Sequence, residues 1–231
     1  MIFRFKGFDV MQQEGVHKVG TDGVLLGAWF LPHDEHHILD IGTGTGVIAL
    51  MAAQRTGAMV TAIDSDAESA AVAGKNFMRS PWSNRLSATP LRLQDLGGEN
   101  LFSHILSNPP FFMDSLLPDD PARLRQRHAE ELTFVELASA VVRMLAPGGR
   151  FSVILPCREG AHFASLASEE GLTLSRLCMV HPRDGKPAHR LLMEFGREGT
   201  ALQTEVLHIL GKDGTYTPEY RSLTRDFYLG F

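Results

Sequence analysis

The sequence predicts an α/β fold: a doubly wound, mostly parallel sheet of seven strands, preceded by a short N-terminal extension over residues 1–37. Three observations carry this expectation. From residue 38 onward, short apolar runs alternate with segments of helical composition. The apolar runs are continuous, as suits strands covered on both faces. The first of them ends in Gly42-Thr43-Gly44-Thr45-Gly46, which opens a helical segment. With 231 residues, 44% of them hydrophobic, the chain fits one well-buried core and not two large ones, so it reads as a single domain over 1–231.

The elements follow in order. The extension begins with Met1–Val10, which alternates like a strand, and holds a short helix from about Gly23 to Phe30. Ile38–Gly42 is the first core strand, and Val47–Arg55 is a helix. Ala58–Ile63 is the next strand, closed by Asp64. Asp66 is a good N-cap for a helix to Arg79, stopped by Ser80-Pro81. Leu86–Leu93 and His104–Ser107 are the third and fourth strands. Thr133–Leu145 has apolar residues at helical spacing: Phe134, Leu137, Ala138, Val141 and Leu145. Pro147-Gly148-Gly149 reads as a turn before a strand at Arg150–Leu155. A helix at Glu159–Glu170 and strands at Leu172–Val180 and Arg190–Phe195 complete the series. No helix separates the last two strands, so one of them is expected to be antiparallel.

Composition narrows the function classes. The N-terminus lacks the apolar run of a signal peptide, and no stretch of about 18 uncharged apolar residues is present. The reading is a cytoplasmic monomer with no membrane partner. Its two cysteines, Cys157 and Cys178, sit in no CxxC pattern, and no metal site is expected. A net charge of −5 does not favour coating long duplexes by charge, but it permits a local basic face.

The glycine loop has the form Asp40-Ile41-Gly42-Thr43-Gly44-Thr45-Gly46. Gly42 allows a tight turn, and Gly44 lets a ligand approach the backbone. Asp64 closes the next strand, where a carboxylate can accept both hydroxyls of a ribose. The dinucleotide fingerprint is G-x-G-x-x-G; here the spacing is G-x-G-x-G, with an acid before it. An acid beside the loop repels a pyrophosphate but suits an ammonium group. S-adenosylmethionine carries an α-amino group and a sulfonium and has no phosphate. Asp40 is therefore expected to serve its amino end, directly or through water, with Thr43 and Gly46 contributing to the loop. Asp95 is the candidate for its adenine amino group.

Asn108-Pro109-Pro110-Phe111 lies at the end of the fourth strand, the edge of an open α/β sheet where ligands bind. Two prolines fix φ and remove two donors, leaving the Asn108 side-chain oxygen and the Pro109 carbonyl as a rigid acceptor surface. An exocyclic amino group on a base is a poor nucleophile because its lone pair is delocalised. Two acceptors on its N–H bonds hold it and favour pyramidalisation. A sulfonium is electrophilic enough that no base need act first, so catalysis rests on proximity and preorganisation. Phe111, with Phe112, offers a stacking face typically worth about 1–3 kcal/mol per base.

On these residues the chain resembles class I methyltransferases of Rossmann-like fold that modify amino groups of bases or glutamine amides. More narrowly it resembles the bacterial tRNA1(Val) adenine-37 N6-methyltransferases. Phe3-Arg4-Phe5-Lys6, Lys18–Gly27, Arg127-His128, Pro187–Arg190, Tyr216–Tyr220 and Asp226–Leu229 carry that likeness over nearly the full length. The resemblance implies methyl transfer from S-adenosylmethionine to N6 of an adenine beside the anticodon of a tRNA. It assigns Asn108, Pro109 and Phe111 to the base, and the glycine loop with Asp64 to the cofactor. It also has Thr21-Asp22 capping the cofactor pocket, where they equally read as an N-cap. Candidate RNA contacts are Arg4, Lys6, Arg123, Arg125, Arg127, His128, Arg183, Lys186, His189 and Arg190, with Arg123–Arg127 as a lid reading phosphates. An unpaired loop base is cheaper to flip than a paired one. The competing readings are a glutamine-amide methyltransferase acting on release factors, an rRNA guanine-N2 methyltransferase and a non-enzymatic RNA-binding scaffold. The first typically carries tyrosine where Phe111 stands and a helical domain ahead of the fold.

Overall fold

The computed structural model describes residues 1–109 and 132–231. Its first two strands, β1 (Ile2–Arg4) and β2 (Asp9–Met11), form an antiparallel hairpin ahead of α1 (Thr21–Trp29). The core then alternates β3 (His37–Ile41), α2 (Val47–Arg55), β4 (Met59–Asp64), α3 (Ala67–Met78), β5 (Leu86–Pro90) and β6 (Phe102–Ser107). After residue 131 come α4 (Phe134–Met144), β7 (Leu145–Pro156), α5 (Cys157–Glu169), β8 (Thr173–Arg183), β9 (Arg190–Gly196), β10 (Gln203–Leu210) and α6 (Pro218–Thr224).

Strands β3 to β10 form one sheet in the order β10-β8-β9-β7-β6-β3-β4-β5. It has eight strands where the sequence predicts seven. The extra strand, β10, pairs in parallel with β8, Val206 opposite Met179. Its first four residues are exposed and its apolar residues begin only at Val206, so the strand pattern in its sequence is short. β9 runs antiparallel to both of its neighbours, β7 and β8, as expected of two strands without a helix between them.

Both faces of the sheet are covered. On β3, Ile38 packs with α1 and α2, while Leu39 and Ile41 point to the opposite core with α4 and α5. On β7, Ile154 goes to the first core and Phe151, Val153 and Leu155 to the second. This two-sided burial explains the continuous apolar runs.

Local chemistry sets most helix ends. Asp66 caps α3 by accepting from the Glu68 and Ser69 amides. Thr133 and Glu136 form a reciprocal capping box at α4. Three expectations differ. The third strand stops at Pro90 and gives way to a 3-10 turn at Leu93–Asp95, because the Pro90 ring cannot extend a ladder. Pro147-Gly148-Gly149 does not end the pairing: it is absorbed as a bulge inside β7, with Gly148 at φ 71°. The N-cap of α1 is Gly20, without a side-chain cap, so neither Thr21 nor Asp22 fills that role.

The two ends of the chain meet behind the sheet. Phe5 stacks on Phe8 and on Tyr228, and the Lys6 ammonium donates to the carbonyls of Arg225 and Phe231 at 2.6 Å each. Lys6 thus ties the N-terminal hairpin to the C-terminal segment while its side chain remains exposed. Among the described residues, no helix is long and apolar enough to cross a membrane.

Candidate active site

Strand order reverses at β3. The chain runs outward through β4 and β5, then returns to place β6 on the other side of β3. A crevice at the carboxyl ends of β3 and β6 is the expected ligand site of such a sheet. Ser107 is opposite Ile41 in the parallel register, and its hydroxyl donates to the Ile41 carbonyl at 3.1 Å. The next residue on each strand is Asn108 on one side and Gly42 on the other, so the two motifs emerge side by side.

The glycine loop is built from backbone conformations that side chains resist. Gly44 has φ 54° and lies under His17: a Cβ there would stand 3.6 Å from the His17 Cβ. Gly46 has φ 81°, and a Cβ would meet Phe77 of α3 at 2.5 Å. Gly46 therefore serves the packing of α2 on α3 and does not line the cavity, although the sequence suggests a cofactor contact. The Gly42 and Thr43 amides both donate to the Ile63 carbonyl, at 2.9 and 3.1 Å, which fastens the loop to β4.

A cavity of about 1230 Å³ opens over these strand ends. That exceeds the usual range of about 300–1,000 Å³ for one small ligand and leaves room for a base beside a nucleoside cofactor. Thr21, Gly42, Thr43, Gly44, Asp64, Asn108, Pro109, His189 and Arg190, all expected at the site, line it.

Asp64 is half-buried; its Oδ2 accepts from the Gly44 amide at 2.8 Å and its Oδ1 from the Asp66 amide at 3.0 Å. Burial raises its pKa from the ordinary carboxylate value, while the Gly44 and Asp66 amides oppose the shift. Asp40 lies beneath the loop, with no exposed surface, and does not reach the cavity wall. The Thr43 hydroxyl donates to its Oδ2 at 2.6 Å, and its Oδ1 has no partner. Burial pushes the Asp40 pKa up to about 7, against the Thr43 bond and the Ala49 amide.

Asn108 shows the arrangement most relevant to chemistry. Its Oδ1 is buried and has no hydrogen-bond partner among the described residues. A buried unpaired acceptor costs roughly 1–3 kcal/mol, and such groups mark places where a ligand completes the site.

Other expected residues are placed elsewhere. Asp95 is half-exposed in a two-point ion pair with Arg92, at 2.8 and 3.0 Å, and it does not line the cavity. The 3-10 turn brings Gln94 to the cavity in its stead, with Leu91 and Leu93. Charge points to Asp95 in the sequence; only the turn geometry shows Gln94. Arg4, Arg183 and Lys186 are exposed and away from the cavity wall. Pro110, Phe111, Phe112, Arg123, Arg125, Arg127 and His128 lie outside the described residues. His17 and Lys18 line the cavity without having been singled out in the sequence; the closeness of His17 to Gly44 is a tertiary contact.

These features suit S-adenosylmethionine. The glycine loop, with the ribose-binding candidate Asp64 beside it, matches a nucleoside cofactor. The description "Methyltransferase small domain" matches residues 17–163. A predicted O-methyltransferase of Agrobacterium tumefaciens superposes with a TM-score of 0.70 at 19% identity, covering 89% of this chain and 96% of its own. A geranyl diphosphate C-methyltransferase of Streptomyces coelicolor A3(2) gives 0.55 at 14% identity, over 75% and 77%. At such identities the likeness is one of fold, and the fold is shared by unrelated acceptors.

Fold and domain together define the class: an S-adenosylmethionine-dependent methyltransferase of class I architecture. The sequence is 41% identical over 234 residues to a tRNA1(Val) (adenine(37)-N6)-methyltransferase of Dyadobacter fermentans, covering 99% of this chain and 98% of that one. The same named enzyme of Bacteroides fragilis is 41% identical, over 98% and 97%, and that of Vibrio parahaemolyticus 40%, over 98% and 95%. The chain belongs to the tRNA1(Val) (adenine(37)-N6)-methyltransferase family.

Proposed function

We propose that this protein methylates N6 of adenine 37 in tRNA1(Val), and that its acceptor site is built on Asn108 and Pro109. The observation that supports the site most directly is the buried, unpartnered Oδ1 of Asn108 beside the glycine loop. Full-length relatives at about 40% identity, all named for that reaction, support the substrate.

Each residue has a stated task. Asn108 Oδ1 accepts one N–H of the adenine amino group, and the Pro109 carbonyl accepts the other. Both are fixed before the base arrives, so little reorganisation is needed at the moment of transfer. S-adenosylmethionine supplies the methyl group from an electrophilic sulfonium. Asp64 accepts from the ribose hydroxyls, and Gly42, Thr43 and Gly44 shape the backbone beneath. Asp40 acts through Thr43 by holding the loop. Gln94, which lines the cavity, stands beside Asp95 as a candidate for the adenine of the cofactor. From sequence alone, Phe111 is assigned to the face of the base, with Phe112 beside it. Arg123, Arg125, Arg127 and His128 are assigned to the RNA backbone. His189 and Arg190 belong to the rim on the acceptor side, with Lys186 further out. Residues 1–37 close the cofactor side of what we take as a single domain.

Nucleoside analysis of tRNA from cells lacking the protein tests this reading. Loss of N6-methyladenosine from tRNA1(Val) is expected; an unchanged profile rejects the substrate. Asn108→Ala should lower kcat by about 10²–10³, the range for removing one preorganised polar contact. Binding of S-adenosylhomocysteine, followed by calorimetry, should remain within about twofold of wild type, since the change removes an acceptor assigned to the base and leaves the glycine loop and Asp64 intact. Methylation of a release-factor glutamine in place of tRNA would favour the amide reading.

A further inference from the structure

Two walls of the cavity come from distant parts of the chain. One is the segment from Gly15 to Gly23, which has no helix or strand until α1 begins at Thr21. It crosses above the glycine loop, with the His17 Cβ and carbonyl 3.6 and 3.7 Å from where a Cβ on Gly44 would lie. It is also tied to the preceding residues: the Val19 amide donates to Gln12 Oε1 at 3.0 Å, and just before the segment the Gln13 amide group donates to Glu68 on α3. The other wall is His189-Arg190 at the start of β9, two strands away from β6 and Asn108.

An ion pair joins the two walls. Arg190 Nε donates to Asp22 Oδ2 at 2.8 Å, across 168 residues of sequence. The side chains are only 25% and 20% exposed, so the pair is partly shielded from water. Arg190 Nη1 also donates to the His189 carbonyl at 3.0 Å, which fixes the guanidinium at the strand start. On the other side, Gly23 sits against Val47, where a Cβ would be 3.3 Å from Val47 Cγ1. The first turn of α1 thus lies between the cofactor half and the acceptor half of one cavity.

We propose that Asp22 and Arg190 are a pair of positioning residues, a latch that holds the Gly15–Gly23 segment over the glycine loop by anchoring it to β9. The inference rests on the cofactor reading above. It gives Arg190 a task that exists without RNA, besides its place on the rim. Opening the latch removes the tie to β9 at Asp22, while the bond from Val19 to Gln12 and the buried turns of α1 remain. The wall over Gly44 then loosens, and a bound nucleoside loses one side of its enclosure. An ordered wall has already lost its conformational freedom before the ligand arrives, and that loss is added to the binding cost once the latch is broken.

The test is calorimetric titration of S-adenosylhomocysteine into the purified full-length chain, without RNA, for wild type, Asp22→Ala, Arg190→Gln and the double variant. Each single change should weaken binding about tenfold. The double variant should be no weaker than either single, because both break the same contact. Arg190→Lys should recover a large part of the loss, since it retains a charged donor. If truncation unfolds the protein, Asp22→Asn with Arg190→Lys gives the same comparison in milder form. Wild-type affinity in both single variants overturns the latch and leaves Arg190 to the RNA. Additive losses also overturn it, since the two residues then act separately. Failure of the wild type itself to bind overturns the cofactor reading, and the latch with it.

Discussion

Asp40 is a carboxyl without access to solvent, held by one hydroxyl and lacking a partner on its other oxygen. Its folded pKa of about 7 lies above the ordinary 3.8 of the unfolded chain. Between those values the unfolded state has released a proton that the folded state retains. Stability therefore falls as pH rises from about 4 to 7 and levels off above that. At roughly 1.4 kcal/mol per unit, this one group contributes a loss of about 4 kcal/mol across the window. Asp40→Asn keeps the shape and removes the titration. Its stability relative to wild type, from urea unfolding at pH 5, 6, 7 and 8, should rise up to pH 7 and then hold constant. A difference that is flat across all four values would assign the cost of burial elsewhere. The acid two residues before Gly42 is legible in the sequence; that it lies under the loop and not on the cavity surface follows from the inward face of β3.

At the scale of elements, β10 depends on a row of polar groups buried in the sheet. His104 on β6 contacts Ser152 on β7 at 2.9 Å, and Arg176 on β8 meets Glu194 on β9 at 3.4 Å and Glu205 on β10 at 3.1 Å. The Arg176 guanidinium lies 4.1 Å from the Trp29 ring centroid, and the Trp29 indole donates to Glu205. Removing one member of a buried charged pair typically costs about 3–5 kcal/mol, because the other charge is left without compensation. Arg176→Ala should destabilise the protein by up to about that amount in chemical denaturation, with Glu194 left to the longer contacts from Arg150 at 3.7 Å and Ser152 at 3.4 Å. A loss under about 1 kcal/mol would mean that Leu207 and its apolar neighbours hold β10 unaided. The short apolar stretch from Val206 gives little sign of this strand, since the polar partners of Glu205, Arg176 on β8 and Trp29 on α1, come from distant parts of the chain. The inner elements are different: β3, α2 and α4 carry their own periodicity and caps, and their expected bounds hold to within one or two residues.

For the whole molecule, the cavity joins residues from both ends of the chain, so ligand binding and global folding are coupled. A ligand that binds only the folded state stabilises it by RT ln(1 + [L]/Kd). S-adenosylhomocysteine at a hundred times its Kd should therefore add about 2.7 kcal/mol and raise the thermal midpoint. No shift at saturation would remove the cofactor from the proposal. The ion pair of Asp22 with Arg190 and the burial of Phe5 and Phe8 against Tyr228 make both termini part of that cooperative unit.

The sequence by itself determined the alternation of strands and helices, the glycine loop, the acid at the end of β4 and the Asn-Pro turn. Each of these is a local device: an apolar period, a positive φ that only glycine adopts cheaply, or a proline that removes a donor. Tertiary structure alone decided the eighth strand, the place of Gln94 on the cavity wall, the bonds of Lys6 to the C-terminal segment and the contact between Asp22 and Arg190. Those outcomes depend on which groups meet across long stretches of chain, and spacing along the backbone carries no information about partners that only packing brings within 3 Å.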